Sequence, residues 1–405
     1  MTFKGTFYLL DPSFAGNAGH AMNFGGGVAA ASAKLGFDMK MAVSNDMAAA
    51  DAALYNALPV FSVTRQLSKV RYRLYRSGLR ASFYTNYEED LNRLAPMLSR
   101  DDLLWDYYLQ GPMQVDAYSR WLEKFAPQDR PRVMVGVDVY YELWHDWLQP
   151  IVPRLKNLEP WFRVTSTSYT NTEQIRDQLG IKVEWMPRPK MGRVSSEQAR
   201  DPQMSELLTA KDEISGPLVG FFADPTRLKS FHLLGDVVSA LLPQSSLRFV
   251  VQLRGEPSEQ DCIQSLEMLK KYAAEFPGRV IFVPAGLSYA AYKTALELCD
   301  GVMVAYDPES HFCDTPSGTV CEALAANTIP IVVEGSSMAK ELRLFHMDFP
   351  VMPVQEAEDL LHLLGDFEKG HKDWLQRNRY HIKKWRQFQS HTNMFEHLFE
   401  KAWIS

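Results

Sequence analysis

The 405-residue chain has little cysteine and no long apolar run. Its four cysteines, Cys262, Cys299, Cys313 and Cys321, form no CxxC pair, so the sequence predicts neither a disulfide framework nor a zinc site and fits a reducing compartment. No stretch approaches the roughly 20 apolar residues that a membrane-spanning helix needs. The N-terminal sequence MTFKGTFYLLDPSF lacks a long apolar core, so we expect no signal peptide and a cytoplasmic protein.

The sequence also lacks a basic excess, internal repeats and low-complexity tracts. The net charge is −6, which argues against a general nucleic-acid binder. The composition, with 46% hydrophobic and 23% charged residues, is that of a globular protein. A chain of this length is long enough for two domains, each with its own core.

The most informative stretch is residues 314–333, DTPSGTVCEALAANTIPIVV. Residues 302–306 before it and 329–333 at its end are short apolar runs, which predict buried strands. Between them, the spacing of apolar residues predicts a helix. Gly318 lets backbone come close to a ligand at the helix start. Candidate N-cap residues there are Thr315, Ser317 and Thr319.

A helix that begins after the end of a parallel strand is a binding site for anions, because its free N–H groups and its dipole both favour phosphate. Two acids flank this helix start. Asp314 precedes the helix and Glu322 lies eight positions later, in its first turns. We therefore expect both carboxylates to face one crevice. Taken alone, however, two acids around a capped helix would be read as solvated side chains.

This stretch resembles the signature of retaining GT-B glycosyltransferases, in particular the family-four enzymes (glycosyl transferases group 1). The resemblance is clear over about residues 217–345 and is architectural before them. It implies an α/β protein of GT-B architecture, with two Rossmann-like domains facing each other across a deep cleft. It also implies transfer of a sugar from a nucleotide diphosphate-sugar donor to an acceptor hydroxyl.

By this resemblance, Asp314 would hold the donor sugar and Glu322 the ribose of the nucleotide. The sequence departs from the family pattern at three positions. Asp314 stands where the family usually has Glu, Gly318 comes one place later, and Asn327 replaces the common Gly at the helix end. Asn tolerates the left-handed conformation of a helix C-terminus, so the last change is harmless.

The donor diphosphate needs fixed cations, because charge grows on the leaving group as the sugar departs. After the apolar strand at residues 218–222, the loop ADPTRLKS offers Arg227 and Lys229. The resemblance assigns Lys229 to the diphosphate. The family's first basic residue is absent, since Phe221 occupies its position, and Arg227 is the nearest substitute. The amides near Ser317, Gly318 and Thr319 would complete this part of the site.

The resemblance also places the nucleotide base against the loop after the strand at residues 280–283. That loop spans residues 284–287, and Gly286 allows close approach of its backbone. We expect contacts to the base to come mainly from backbone atoms there.

The N-terminal part begins like a Rossmann unit, with a strand at residues 6–10, a glycine-rich loop and a small-residue helix. Gly16 and Gly19 permit tight backbone near a ligand. The glycines do not match GxGxxG, so a NAD-linked dehydrogenase is a weak rival. His20 is a candidate for contact with the donor phosphate or the acceptor, or for a general base. A loop histidine bonded to backbone is about equally compatible with the sequence.

A second strand end in the first domain offers polar side chains. Residues 132–137 form an apolar strand that ends at Asp138, with His145 further along. Asp138 is a candidate for contact with the sugar or for the base, although a helix cap would explain it equally well. The region 84–130 is predicted to be mostly helical.

Residues 65–80 are the strongest basic stretch. Five cations, Arg65, Lys69, Arg73, Arg76 and Arg80, recur at helical spacing. Such a helix could rest on anionic lipid or hold a charged acceptor, and a solvated helix face is the plain alternative. Peripheral contact with the inner face of a membrane is therefore an expectation.

The predicted organisation is an N-terminal domain over residues 1–190, a linker over 191–216, a donor domain over 217–385 and a C-terminal helix over 386–405 that could cross back to the first domain.

The sequence has no convincing DxD motif, so we expect a metal-independent enzyme without a cofactor. By resemblance it retains the anomeric configuration and acts on glycan or lipid-linked acceptors, as in polysaccharide biosynthesis. If it inverts instead, His20 or Asp138 must be the base. The alternatives are a non-catalytic nucleotide-sugar binder, an epimerase and a phosphorylase of the same fold.

Overall fold

The structure is a computed structural model that describes residues 4–12, 14, 20–62, 80–109, 112–137, 145–146, 148–189, 207, 215–307, 317–353 and 356–401. The chain divides into two compact units. The first comprises Met1–Met191 and Gln389–Ser405, and the second comprises Gly192–Phe388.

The described residues form thirteen strands and thirteen α-helices. The strands are β1 Phe7–Asp11, β2 Met39–Ser44, β3 Ala57–Phe61, β4 Leu103–Leu109, β5 Arg132–Val137, β6 Phe162–Ser166, β7 Val183–Trp185, β8 Leu218–Ala223, β9 Arg248–Leu253, β10 Val280–Val283, β11 Gly301–Val304, β12 Ile329–Val333 and β13 Val351–Met352. The helices are α1 His20–Leu35, α2 Ala49–Leu54, α3 Arg80–Leu94, α4 Pro112–Glu123, α5 Val152–Asn157, α6 Tyr169–Leu179, α7 Phe231–Leu241, α8 Gln260–Glu275, α9 Tyr289–Leu298, α10 Gly318–Ala326, α11 Ser337–Leu344, α12 Ala357–Phe388 and α13 His391–Glu396.

The first unit is built on a seven-stranded parallel sheet with the order β3-β2-β1-β4-β5-β6-β7. Alternate residues of its central strands enter two different cores. Tyr8 and Leu104 belong to one core, while Phe7 and Trp105 belong to the other. Both faces of the sheet are therefore buried, as a parallel sheet requires.

The prediction of mostly helical structure over residues 84–130 is wrong for β4, which lies at the centre of this sheet. The strand LLWDYYL contains Asp106, a fully buried carboxylate in the middle of an apolar run. The hydroxyls of Tyr87 and Tyr118 donate to Asp106 Oδ2 at 2.9 and 3.0 Å. Because these donors come from α3 and α4, the local sequence does not reveal how the acid is accommodated.

The glycine-rich segment before the first long helix also differs from its prediction. We expected residues 25–27 in a loop, but α1 begins at His20 and includes them. A Cβ on Gly25 would lie 2.6 Å from Cε of Met41, and one on Gly27 would lie 3.2 Å from Nε2 of His391. These glycines therefore serve close packing of α1 on β2 and α13.

The C-terminal segment belongs to the core of the first unit. Phe395 packs edge-on against Phe7 with ring centroids 5.6 Å apart, and it stacks on Phe37 at 5.2 Å. The Gln389 side-chain oxygen accepts from the backbone N–H of Arg188 at 2.5 Å. The last residues described thus complete the same unit that the first strand begins.

The second unit is built on a six-stranded parallel sheet with the order β10-β9-β8-β11-β12-β13. Its strands are short, nearly continuous apolar runs, which is the pattern of a sheet covered on both faces. The long helix α12 closes one core with Phe367 and Trp385. Near its end, the Arg386 guanidinium donates to the carbonyl oxygens of Leu324 and Ala325 at the end of α10. The predicted fold class, two Rossmann-like α/β domains, is confirmed.

Two further features bear on earlier expectations. No helix in the described ranges is both long and apolar enough to cross a membrane.

Cys262, Cys299 and Cys321 are buried thiols without a disulfide. Burial raises the pKa of Cys262 to about 12, so this thiol is unreactive in the folded protein.

Candidate functional site

The carboxyl edge of the second sheet has the geometry of a ligand crevice. β8 and β11 are neighbours, with β9 and β10 on one side and β12 and β13 on the other. The connections after β8 and β11 therefore leave the sheet in opposite directions. In open α/β sheets, ligands bind at the carboxyl ends of the strands at such a switch point.

The loops that follow these two strands are tied to each other. The backbone N–H of Asp307 donates to the Leu228 carbonyl oxygen at 2.9 Å. The hydroxyl of Ser230, a fully buried residue, donates to the Ala305 carbonyl oxygen. Ser230 has a φ of 59°, a left-handed conformation that lets α7 begin directly after this bond. The loop with the predicted cations is thereby fixed against the loop that leads towards α10.

Arg227 and Lys229 lie on one 3-10 turn between β8 and α7. Lys229 Nζ lies 2.9 Å from Asp224 Oδ2 and 5.9 Å from the centre of the Tyr306 ring. Arg227 is paired with Asp261 of α8, and 59% of its side chain is exposed, whereas 18% of Lys229 is exposed. Exposed ion pairs contribute only about 0–1 kcal/mol, so a diphosphate can displace these acids at little cost.

His232 is an additional group beside this turn. It is the second residue of α7, and its Nδ1 is buried with no hydrogen-bond partner among the residues described. Burial lowers the pKa of His232, and the Arg227 charge acts in the same direction. The acids Glu259, Asp261 and Asp307 oppose this shift, but burial is the larger effect and the net pKa is lowered. At neutral pH the imidazole is therefore uncharged.

The helix α10 begins as the sequence predicts. Ser317 is its N-cap, and the Ser317 side chain accepts from the backbone N–H of Val320. Gly318 is the first helical residue, and Thr319 follows it. Asn327 ends the helix with a φ of 64°, the left-handed conformation expected of it. The N–H groups of the first turn and the positive end of the helix dipole favour an anion here.

Glu322 lies in the second turn of α10 and is only 6% exposed. Its Oε2 accepts a hydrogen bond of 2.9 Å from the Tyr292 hydroxyl. Tyr292 belongs to α9, which packs beside α10. The carboxylate is therefore held in place by a neighbouring helix, unlike a solvated surface acid.

The loop at residues 284–287 lies at the end of β10. The side-chain amide of Gln252, in β9, donates to the carbonyl oxygens of Pro284 and Ala285 at 3.2 and 3.1 Å. Gly286 is exposed, and a Cβ there would meet nothing within 4 Å. The loop is thus fixed at its start and open at Gly286.

Several predicted residues lie outside the described parts of the chain. These are Gly19, Asp138 and Asp314, together with the basic stretch 65–80 except Arg80, the first residue of α3. His20 is the first residue of α1, and its side chain is outside the description. His145 is half-buried, and its Nδ1 has no hydrogen-bond partner in the described part.

Sequence reasoning missed four residues around the crevice: Tyr292, Gln252, Arg254 and His232. Each lies at a helix start or strand end facing the carboxyl edge of the sheet, but none belongs to a recognisable motif. The described residues contain no group of three or more His, Cys, Asp or Glu side chains that could hold a metal ion.

No protein-family model matches the chain, and no curated protein matches its sequence. Solved structures are similar over nearly the whole length. A glycosyltransferase from Rickettsia africae is 10% identical with a TM-score of 0.68, covering 98% of this chain and 99% of its own. A trehalose-6-phosphate protein from E. coli bound with UDP-2-fluoro glucose is 12% identical with a TM-score of 0.63, covering 99% of each chain. An α,α-trehalose-phosphate synthase (UDP-forming) from Burkholderia xenovorans, in complex with glucose-6-phosphate, is 11% identical with a TM-score of 0.61, covering 97% and 100%.

These neighbours define the class of fold. The protein has the GT-B fold, with two parallel-sheet α/β units that match such structures along their full length. At this level of identity, the similarity establishes the fold and leaves the activity to the residues of the site.

Proposed function

We propose that this protein is a glycosyltransferase that moves a sugar from a nucleoside diphosphate-sugar to an acceptor hydroxyl. The observation that carries the proposal is the fixed junction of the loops after β8 and β11, with Lys229 at their meeting point. This junction lies at the switch point of the sheet, and α10 follows β11 along the chain at the same carboxyl edge.

The diphosphate would lie between the Arg227–Lys229 turn and the first turn of α10. Lys229 would leave Asp224 to contact a phosphate oxygen, while the amides of Gly318 and Thr319 would contact another. Cations and amides aimed at the leaving group stabilise the charge that develops as the sugar departs. Since His232 is neutral, its imidazole can donate a hydrogen bond there without adding charge.

The nucleoside would extend towards β9 and β10. Glu322 would accept hydrogen bonds from the ribose, and the base would lie against residues 284–287 at Gly286. A buried carboxylate and an exposed loop suit these two roles, because the ribose presents hydroxyl donors and the base presents a flat edge.

The proposed reaction is metal-independent and needs no cofactor. The acceptor hydroxyl oxygen forms a bond to the anomeric carbon as the bond from that carbon to the diphosphate oxygen breaks. The acceptor attacks on the same face from which the diphosphate departs, so the anomeric configuration is retained. The departing diphosphate takes the acceptor proton, so no protein base is required. Asp314 orients the sugar. An inverting enzyme would need His20 or Asp138 as the base instead.

A uridine donor is the first to test, since one structural neighbour is bound with UDP-2-fluoro glucose and another is described as UDP-forming. The acceptor proposed is a sugar hydroxyl of a glycan or a lipid-linked glycoconjugate. In the second case, the basic stretch 65–80 would contact an anionic membrane.

Turnover of nucleotide sugars tests the proposal. The protein is incubated with UDP-glucose, UDP-galactose, UDP-N-acetylglucosamine or GDP-mannose, and the released nucleoside diphosphate is measured with and without a panel of sugar and sugar-phosphate acceptors. We expect one donor to release its diphosphate slowly in water and at least tenfold faster with its acceptor. The anomeric configuration of the product, read by NMR, decides between retention and inversion.

Two outcomes would contradict the proposal. Tight binding of a nucleotide sugar without release of diphosphate under any acceptor would identify a non-catalytic binder. A nucleotide sugar converted to its epimer, without release of diphosphate, would identify an epimerase.

A further inference from the structure

Tyr292 of α9 is bonded to Glu322, one of the residues of α10 that are predicted to contact the donor. Its hydroxyl donates to Glu322 Oε2 at 2.9 Å. Glu322 is only 6% exposed, so this bond from α9 holds a buried carboxylate of α10.

The ring of Tyr292 packs against side chains from the sheet and its edge. Phe222 of β8 packs edge-on against it, with ring centroids 5.7 Å apart and planes at 89°. The Arg254 guanidinium, just after β9, lies 5.5 Å from the ring centre. Tyr292 is only 7% exposed, so its ring is packed between these neighbours. The hydroxyl at the end of the ring is directed towards α10, where it meets Glu322.

The hydroxyl remains a donor at physiological pH. Burial raises the pKa of Tyr292 well above its ordinary value, and the nearby Glu322 carboxylate raises it further. A phenol that keeps its proton can continuously donate to the carboxylate. This bond is charge-assisted, and such bonds are about twice as strong as neutral ones.

We propose that Tyr292 is a positioning residue of the donor site, which orients the Glu322 carboxylate so that it recognises the ribose hydroxyls. This inference rests on the proposed function and adds to it a determinant of specificity. A site built to bond a hydroxyl rejects the analogue that lacks it, because its buried polar groups then lose their partner. A carboxylate that can rotate would discriminate less well.

The test compares ribose with deoxyribose. Dissociation constants of UDP, 2′-deoxy-UDP and 3′-deoxy-UDP are measured by calorimetry for the wild type, Tyr292→Phe, Glu322→Gln and the double variant, with the corresponding guanosine compounds in parallel. We expect the wild type to prefer the ribonucleotide over at least one deoxy analogue by about 10-fold to 100-fold, the range of a hydrogen bond to a charged group.

Tyr292→Phe is expected to lower that preference by about fivefold or more while changing the affinity for the deoxy analogue little. The double variant is expected to lose little more than Glu322→Gln alone, because both substitutions act on one interaction. In turnover, KM for the donor should rise while kcat stays within about twofold. Tyr272→Phe on α8, whose ring stacks on Phe276, is the matched control and should change nothing.

Two results would overturn the inference while leaving the proposed function intact. One is a Tyr292→Phe variant that keeps the full preference for ribose. The other is an equal loss of affinity for ribonucleotide and deoxynucleotide, which would show a merely structural role. A wild-type protein that binds neither uridine nor guanosine diphosphate is a different result, because it removes the proposed function and this inference with it.

Discussion

Replacing Lys229 by Met is expected to lower kcat/KM for the nucleotide-sugar donor by about 100-fold to 1,000-fold, the usual cost of removing one preorganised group that stabilises developing charge. The Lys229 ammonium group lies at the junction of the two switch-point loops. Since charge on the diphosphate grows as the sugar leaves, the loss should appear more strongly in kcat than in donor affinity. Methionine keeps the length of the side chain, so the ring of Tyr306 retains its neighbour.

A second substitution, Asp224→Asn, is expected to affect the donor in the opposite direction. Asp224→Asn removes the acid that lies 2.9 Å from Lys229 Nζ, and it should leave donor affinity unchanged or raise it by a few fold. Lys271→Met, on the exposed side of α8, controls for loss of a positive charge. Initial rates over a range of donor concentrations provide the measurement. A folded Lys229→Met protein with turnover within twofold of the wild type would remove Lys229 from the site.

Trp385→Ala is expected to lower the unfolding free energy of the second unit by about 3–5 kcal/mol, the typical cost of truncating a buried tryptophan. Trp385 is 1% exposed, and its indole N–H donates to Glu341 Oε1 at 2.9 Å. Glu341 is itself 8% exposed, so the substitution both opens a cavity and deprives a buried carboxylate of a donor.

Trp385→Phe separates these two effects. It keeps most of the ring volume and removes the donor, so we expect a smaller loss of about 1–3 kcal/mol. Trp374→Ala is a matched control, because Trp374 lies on the same helix but is only half-buried. Urea denaturation followed by far-UV circular dichroism gives the free energies. If the two alanine variants were equally destabilised, the indole of Trp385 would not have the structural role assigned to it.

The sequence was most predictive where local pattern and tertiary environment agree. β8, β11 and β12 are short apolar runs buried on both faces, and each was predicted from that pattern alone. The start and end of α10 followed equally directly, since Ser317 caps its own helix and Asn327 adopts the left-handed conformation locally. Such features depend on neighbours only a few residues away.

Sequence reasoning failed where the stabilising partner is distant along the chain. β4 lies in a region that was predicted to be mostly helical, and its buried Asp106 is bonded by Tyr87 and Tyr118 from two helices. β3 contains Pro59 and is the edge strand of its sheet, the place where a strand tolerates proline. The glycines of α1 looked like a loop because the side chains packed against them, such as His391, lie far away in sequence.

The candidate site shows the same division. Glu322, Lys229 and Ser317 could be selected from motif and spacing. The bond from Tyr292 to Glu322 joins residues 30 positions apart on different helices, and nothing in either segment indicates it. Likewise, the pairing of Arg227 with Asp261 requires the fold to bring the start of α8 beside the turn after β8.

The most direct test of a donor site at the carboxyl edge of the second sheet is a thermal-shift measurement with UDP, GDP, CMP and their sugar conjugates on the wild type and on Glu322→Ala. A ligand that binds only the folded protein raises Tm, because it stabilises the folded state. At a ligand concentration of 100 times Kd, this stabilisation is about 2.7 kcal/mol. Glu297→Ala, an exposed position on α9, serves as the control. We predict a selective rise with one nucleoside diphosphate and its sugar conjugate, lost in Glu322→Ala and kept in Glu297→Ala. A wild-type protein whose Tm no nucleotide raises, or a rise that Glu322→Ala retains in full, would contradict the account.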